Sequence, residues 1–142
     1  MKFDLLEKFP NRIEIKKSGI EKAWLWAYSK IDIPKNKTIW EYIGKIMNPD
    51  DFDNKKSHHD YGFSVYDGHK VLFVIDSANK KYGNWTRYIN CARTSEEENV
   101  YFYQYKKRIF IKTHKEIKAW DELFIWYGKE YWVKLNGVDI YS

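Results

Sequence analysis

The sequence predicts a mainly β domain of several small sheets with little helix. Two observations support this prediction. Short runs in which apolar and polar residues alternate recur along the chain, and 19% of the residues are aromatic, a composition that favours strands. We predict strands at residues 12–16, 24–27, 38–43, 61–66, 71–75, 101–105 and 108–112.

Turn residues and polar segments separate these strands. Asp67 and Gly68 predict one hairpin, and Lys106 and Lys107 predict a second. Residues 49–56 are polar and are expected to form an exposed loop. The helical segments that we expect are one turn at residues 85–89 and a short N-terminal helix at residues 5–9.

Length and composition predict a single domain over residues 1–142 that does not enter a membrane. The chain has only three Pro and seven Gly, with no repeat or linker, and 142 residues are too few for two ordinary domains. No apolar run approaches the ~20 residues that a membrane span requires. Asp4 and Glu7 interrupt what would be the apolar part of a signal peptide, so we expect an intracellular location, nuclear or cytoplasmic.

The cysteine and histidine content argues against a metal site. Cys91 is the sole cysteine, which excludes an internal disulfide and a four-cysteine zinc site. His58 and His59 are adjacent and would point to opposite faces of a strand. We therefore expect no bound metal.

A net charge of +5 and dense aromatic residues leave nucleic-acid binding as one alternative function. The basic residues are scattered rather than grouped, so we expect this function least. It would require Trp and Tyr exposed along one groove with Lys beside them.

Two motifs in the second half of the chain carry a family resemblance. Residues 83–100 read GNWTRYINCARTSEEENV, and residues 119–131 read AWDELFIWYGKEY. They resemble N-W-x-R-Y-x-N-C-A-R and G-x-E-L-x-x-W-Y-G-x-E-Y of PR domains, the SET-related domains of zinc-finger chromatin proteins. Shorter matching blocks lie at residues 18–20 (SGI), 41–46 (EYIGKI) and 74–76 (VID).

The resemblance covers about residues 13–132 and implies a SET-domain fold. In that fold small sheets surround a C-terminal pseudoknot, in which the last segment threads near the Asn-Cys segment. The implied activity is protein-lysine N-methyltransferase: S-adenosylmethionine would donate a methyl group to a lysine of a protein or peptide such as a histone tail. The cofactor and the lysine would enter from opposite faces and meet in a narrow channel.

The resemblance also implies roles for individual residues. Tyr127 would lie beside the reacting amine, and Tyr61 would line the lysine channel. Asn90 and the backbone of Cys91 would hold the cofactor. The full set of cofactor positions that it implies is Trp24, Leu25, Trp26, Tyr88, Asn90 and Cys91.

Lysine methylation explains why aromatic residues would surround the reacting group. The amine must be neutral to displace the sulfonium methyl group, yet free lysine has a pKa of ~10.4. A channel that excludes water and lies beside the positively charged sulfonium lowers the pKa of the lysine amine. Tyrosine rings pack against the lysine stem, and their hydroxyls orient the amine. This chemistry requires neither a metal nor a covalent nucleophile.

The sequence departs from the family at the cofactor segment. Trp24 and Trp26 stand where the family has the two glycines of G-x-G, which let the backbone approach the cofactor closely. An indole at either place would fill the pocket. A second function is therefore an inactive PR-type domain that binds another protein.

Three further features bear on activity. Ile111 stands where methylating PR domains place a third active-site tyrosine. Glu96, Glu97 and Glu98 form an acidic run that is either a solvated loop or a rim that attracts a basic substrate. Tyr131 and Trp132 could close the site in place of the zinc-binding tail of some SET proteins.

Overall fold

The computed structural model describes residues 12–17, 25–56 and 61–126. Within these ranges it contains ten short strands, one turn of α-helix and one turn of 3-10 helix. The predicted mainly β architecture of small sheets with little helix is confirmed. The helix expected at residues 5–9 lies outside the described residues.

A two-stranded sheet contains the start of the described chain. Strands β1 (Ile13–Lys17) and β2 (Leu25–Ser29) are antiparallel. Ala27 and Ser29 are fully buried, and Tyr28 between them faces the other side because side chains alternate along a strand. The buried face of β2 therefore joins the core.

A three-stranded antiparallel sheet has the order β4-β6-β5. The predicted hairpin is confirmed, and its turn consists of Gly68 and His69, with Gly68 at a φ of 60°. A positive φ is readily adopted by glycine. The strands of this sheet are β4 (Lys45–Met47), β5 (Gly62–Asp67) and β6 (Lys70–Asp76).

A five-stranded sheet has the order β3-β9-β8-β10-β7. The predicted hairpin at Lys106 and Lys107 is confirmed, since Tyr105 pairs with Arg108 across it. Lys106 adopts the positive φ of 56° in this tight turn. The strands are β3 (Thr38–Tyr42), β7 (Asn90–Cys91), β8 (Val100–Tyr105), β9 (Arg108–Thr113) and β10 (Phe124–Ile125).

Strand β10 lies between β7 and β8 and runs parallel to both. Phe124 pairs with Asn90, while Ile125 pairs with Cys91 on one side and Val100 on the other. The C-terminal motif therefore threads beside the Asn-Cys segment, as the resemblance implied. Neither β7 nor β10 was among the predicted strands, because two-residue strands are too short to show a periodic pattern.

Strand β9 runs through the centre of the protein. Ile109, Phe110 and Ile111 are all buried, so both faces of this strand are covered. Ile109 and Ile111 pack in the main hydrophobic cluster, while the ring of Tyr103 lies 5.9 Å from that of Phe110. Burying each such side chain stabilises the fold by about 1.5–3 kcal/mol.

The prediction of a loop at residues 49–56 was wrong for its first half. Residues Pro49–Asp53 form a single α-helical turn, α1. Asn48 Oδ1 accepts the N–H of Asp50 at 2.9 Å, and Pro49 occupies the first turn, where its missing N–H costs nothing. The segment is nevertheless largely exposed, as expected. These capping signals are present in the sequence and were overlooked.

Helix α1 is attached to the start of β5 by a close contact. A Cβ atom at Gly62 would lie only 2.2 Å from the ring of Phe52. The absence of a side chain at Gly62 therefore allows the ring to approach the backbone. The helical turn expected near Trp85 is also confirmed, as a 3-10 turn over Trp85–Tyr88 capped by Asn84.

Candidate functional site

Leu123 joins the two segments that were expected to hold the cofactor. Its N–H donates to the carbonyl of Ala27 in β2 at 2.9 Å, and its carbonyl accepts the N–H of Asn90 in β7 at 3.1 Å. β2 and β7 therefore lie on either side of one residue of the C-terminal motif. Segments that are more than sixty residues apart in the sequence meet here.

The side chain of Asn90 has a defined orientation. Its Nδ2 donates to Glu122 Oε2 at 3.1 Å, and its Oδ1 accepts the N–H of Cys91 at 2.7 Å. A primary amide has two N–H donors, so one more bond from Nδ2 is chemically available. The Glu122 carboxylate brings a negative charge to this position.

The backbone of Cys91 lies at an edge of the five-stranded sheet. The N–H groups of Asn90 and Ala92 donate to Leu123 and Ile125, on the β10 side. Successive residues of a strand direct their main-chain groups to opposite sides. The main chain of Cys91 therefore faces away from β10, toward the outside of the sheet.

The β2 residues named as cofactor positions are only partly buried. Leu25 is 42% exposed, and Trp26 is half-buried opposite Lys16. Tyr28, which shares a strand face with Trp26, forms a β-bridge with Glu122. Trp26 therefore lies on the strand that borders Glu122, while Trp24 lies outside the described residues.

Tyr61 is held at its backbone by two donors. Its carbonyl accepts the hydroxyl of Tyr42 at 2.5 Å and the N–H of Ser77 at 3.1 Å. Tyr42 is itself packed against the rings of Phe63 and Phe102, with centroid distances of 5.0 and 5.1 Å. The main-chain position of Tyr61 is therefore determined by the core beneath it.

Arg87 links Tyr61 to the cofactor segment. Its guanidinium carbon lies 4.9 Å from the ring centroid of Tyr61 and 4.9 Å from that of Tyr88. Nε donates to the carbonyl of Ser77 at 2.9 Å, and Nη2 donates to that of Ala78 at 2.8 Å. The cation is thus stacked between a proposed lysine-channel residue and a proposed cofactor residue.

Arg87 and Glu122 were missed by the sequence analysis. Both lie inside the motifs that carry the resemblance, but neither was given a role. The available signal was a charged residue next to an apolar or aromatic one, Arg87 before Tyr88 and Glu122 before Leu123, since charged residues in such surroundings are partly buried only when they are paired. Tyr127 lies outside the described residues, so its position beside the lysine stays a prediction.

The acidic run after β7 is in contact with neighbouring basic residues. Glu97 Oε1 accepts from Arg93 Nε at 3.0 Å, and Glu98 Oε1 lies 3.0 Å from His114 Nδ1. Glu96 is exposed, and its backbone carbonyl accepts a bond from Lys115. These contacts favour a structured, solvated loop over an acidic rim.

Ile111 is fully buried in the main hydrophobic cluster. At the position where the resemblance implied a third tyrosine, this protein therefore has a core residue. A tyrosine hydroxyl there would need a hydrogen-bond partner inside the core.

Neither a metal cluster nor a membrane helix is found in the part of the chain that the structure describes. No three His, Cys, Asp or Glu residues are grouped closely enough there to hold a metal ion. Among the described helices, none has the length and apolar character needed to cross a bilayer.

Tyr42 provides a test of how tightly this region is packed. Burial raises the pKa of the Tyr42 phenol well above its ordinary value of 10.0, and the Asp76 carboxylate adds to the shift. The folded protein therefore retains this proton at a pH where the unfolded chain loses it. Titration of Tyr42 leaves the free energy of unfolding unchanged below pH ~10. Above that pH it lowers the free energy of unfolding by up to about 1.4 kcal/mol per pH unit.

We therefore expect Tyr42→Phe to lose stability less steeply than the unchanged protein between pH 9.5 and 11.5. Urea unfolding at several pH values measures both slopes. Parallel slopes would show that Tyr42 ionises as readily in the folded protein as in the unfolded chain.

The fold is that of a SET-type domain. The methyltransferase domain of human PR domain-containing protein 2 superposes with a TM-score of 0.69 at 25% identity, covering 88% of this chain and 83% of that one. The SET domain of the RIZ1 tumor suppressor (PRDM2) superposes with a TM-score of 0.67 at 26% identity, covering 85% and 72%.

The family model for the PR domain of PR domain zinc finger protein 2 matches residues 13–137, and the chain belongs to the PR domain family. The histone-lysine N-methyltransferase PRDM7 of Homo sapiens is 32% identical over 128 residues, covering 89% of this chain and 25% of that protein. The chain spans less than half the length of the curated relatives it matches. The resemblance stated from the motifs is confirmed, as is the relationship to methyltransferases.

Proposed function

We propose that this protein is an S-adenosylmethionine-dependent protein-lysine methyltransferase that acts on a lysine of a protein such as a histone. The observation that carries the proposal is the junction at Leu123, where β2 and β7 meet the C-terminal motif. In this proposal Asn90 and the Cys91 backbone bind the cofactor, and Tyr61 and Tyr127 orient the lysine.

The residues around the Cys91 edge fit the proposed cofactor. The Cys91 N–H already donates to Asn90 Oδ1 at 2.7 Å, so the Cys91 carbonyl is the main-chain group that would meet the adenine amino group of the cofactor. Its amino acid part can accept the second N–H of Asn90 Nδ2. The Glu122 carboxylate, 3.1 Å from that nitrogen, suits a cofactor with a positive sulfonium and ammonium.

When bound, the cofactor would supply an activated methyl group, and the protein would orient the lysine and favour loss of its proton to water before it enters the channel. Tyr61 sits on a backbone fixed by Tyr42 and Ser77, with its ring against the Arg87 cation. A positive charge near the channel, together with burial, favours the neutral amine. Holding the amine in line with the methyl group supplies most of the acceleration, for which positioning allows about 7–11 kcal/mol.

Trp26 favours a second function, a cofactor-free domain that binds another protein. This half-buried indole stands in place of a family glycine, on a strand that borders Glu122. If Trp26 covers the Cys91 edge, the cofactor has no access to it. The two functions predict opposite results in a binding experiment.

Calorimetric titration of S-adenosylmethionine into the purified protein tests the proposal. We expect micromolar affinity, and a loss of about tenfold in Asn90→Ala, because removing one or two hydrogen bonds costs about 1–2 kcal/mol. Asn79→Ala is the matched control, since the bond that this exposed side chain forms within the described residues is to the nearby N–H of Lys81, at 3.0 Å. The control should bind like the unchanged protein.

Methyl transfer is then measured by mass spectrometry on a core histone mixture. Incorporation that is lost in Tyr127→Phe would support the proposed enzyme. No heat of binding at near-millimolar cofactor would reject it and favour the protein-binding function.

A further inference from the structure

A basic cleft lies beside the three-stranded sheet, and the carbonyl of its lining residue Ala78 accepts a hydrogen bond from Arg87 at 2.8 Å. It encloses about 500 Å³, a size suited to a few side chains of a ligand. Lys45 and Met47 of β4 enter it from one face of the sheet, since alternate side chains share a face. Its remaining lining residues are Lys55, Lys56, Asp76, Ala78, Asn79 and Tyr82.

The two charged residues at the floor of the cleft neutralise each other. Lys55 and Asp76 form a salt bridge, with their side chains 20% and 7% exposed. The other Asp76 oxygen accepts the N–H of Ala78 at 3.0 Å. The carboxylate in the lining is therefore committed to internal partners and does not neutralise the remaining lysines.

The rim of the cleft carries lysines that form no salt bridge within the described residues. Lys45 and Lys56 are exposed, and neither forms a salt bridge to any residue in the described ranges. Lys81 lies on the adjoining turn, and the ring of Tyr82 lies 6.0 Å from Lys45 Nζ and 5.7 Å from Lys81 Nζ. Two ammonium groups thus lie near one aromatic ring that is 40% exposed.

Strand β4 forms the outer edge of its sheet. In the order β4-β6-β5, it pairs with β6 on one side, and the described residues place no strand on the other. An edge strand beside a groove is the arrangement to which extended peptides add through main-chain hydrogen bonds. Positive rim charge selects acidic side chains among such peptides.

We propose that this cleft binds an extended acidic peptide segment of a partner protein. Such a segment would add along β4, with its carboxylates at Lys45 and Lys56 and an apolar side chain against Met47 and Tyr82. A single-stranded nucleic acid fits less well, because such sites stack successive bases on several aromatic rings, and the described lining contains one. Binding of such a segment does not itself involve methyl transfer, and the cleft has the wrong charge for a basic histone tail.

Fluorescence anisotropy with a labelled oligo-glutamate peptide tests this site in the full chain. We expect micromolar binding that weakens by at least about tenfold in the double variant Lys45→Glu/Lys56→Glu. Lys30→Glu/Lys107→Glu is the matched control: both residues are exposed, and the change in net charge is the same. The control should weaken binding by less than about threefold, through long-range charge alone.

Three results would overturn the proposal. Equal loss in the two double variants would mean that net charge alone attracts the peptide. Tight binding of a labelled single-stranded oligonucleotide without binding of oligo-glutamate would identify a nucleic-acid surface instead. Absence of any peptide binding by the unchanged protein would also reject it. If the double variant fails to fold, the single variant Lys56→Glu replaces it in the same binding experiment.

Discussion

Replacing Arg87 by methionine is expected to lower the rate of methyl transfer by about 100-fold and the free energy of unfolding by about 2–4 kcal/mol. Methionine fills much of the same volume but removes both donors. The carbonyls of Ser77 and Ala78, which accept at 2.9 and 2.8 Å, then lose their charged partner in a half-buried site. The rings of Tyr61 and Tyr88 also lose the cation between them.

The loss of rate follows from position rather than from direct contact with substrate. A displacement of about 1 Å at a reacting group costs on the order of 100-fold, and Arg87 is the shared neighbour of Tyr61 and Tyr88. We expect Arg87→Lys to recover only part of the loss, because an ammonium cannot donate in a fork or stack as a plane.

Arg93→Met is the matched control for this experiment. Arg93 has a side chain that is 64% exposed and pairs with Glu97 four residues later, so its loss should cost less than about 1 kcal/mol. Initial rates are compared well below the unfolding temperature of each variant. An Arg87→Met protein that is less stable but keeps its rate within twofold would limit Arg87 to a structural role.

Ile111→Ala is expected to lower the free energy of unfolding by about 2–5 kcal/mol, the largest stability effect that we predict. Ile111 is 0% exposed and lies on β9, the strand buried on both faces. Removing its outer carbons leaves a cavity that the surrounding sheet cannot fill, since both neighbouring strands are fixed by their hydrogen bonds.

Ile46→Ala is the same chemical change on the surface. Ile46 is 60% exposed on the edge strand β4, so the expected change is within about 0.5 kcal/mol. Urea unfolding of both variants measures the difference. If Ile111→Ala lowers the free energy of unfolding as little as Ile46→Ala does, then Ile111 is not a core residue. It would then again be a candidate for lining the lysine channel.

Strands could be predicted where the two strands of a hairpin are long enough to show alternating apolar and polar residues. Strands β8 and β9 follow from alternation and a two-residue turn, both of which act between neighbours in the chain. Helix α1 was missed although Asn48 and Pro49 indicate a helix start, because the polar composition of the segment outweighed them. Strands β7 and β10 were unpredictable from pattern, since each consists of two residues that are extended only because they pair with each other.

Some residues of the candidate site were likewise predictable from the sequence, and others were not. The motifs identified Asn90, Cys91 and Tyr88 as a unit, because these residues are close in sequence and their order alone carries the resemblance. Their partners come from distant segments. Glu122 meets Asn90, and Tyr61 meets Arg87, only after the sheets have assembled.

The amino-acid sequence by itself determined the β-rich class, the two hairpins and the family of this protein, since alternation, turn residues and motif order are properties of the chain. The tertiary structure alone decided that Ile111 is core, that Arg87 is stacked between two tyrosines, and that lysines gather around Tyr82. Burial and charge pairing depend on which surfaces meet, and no local pattern encodes contacts between residues that are far apart in the chain.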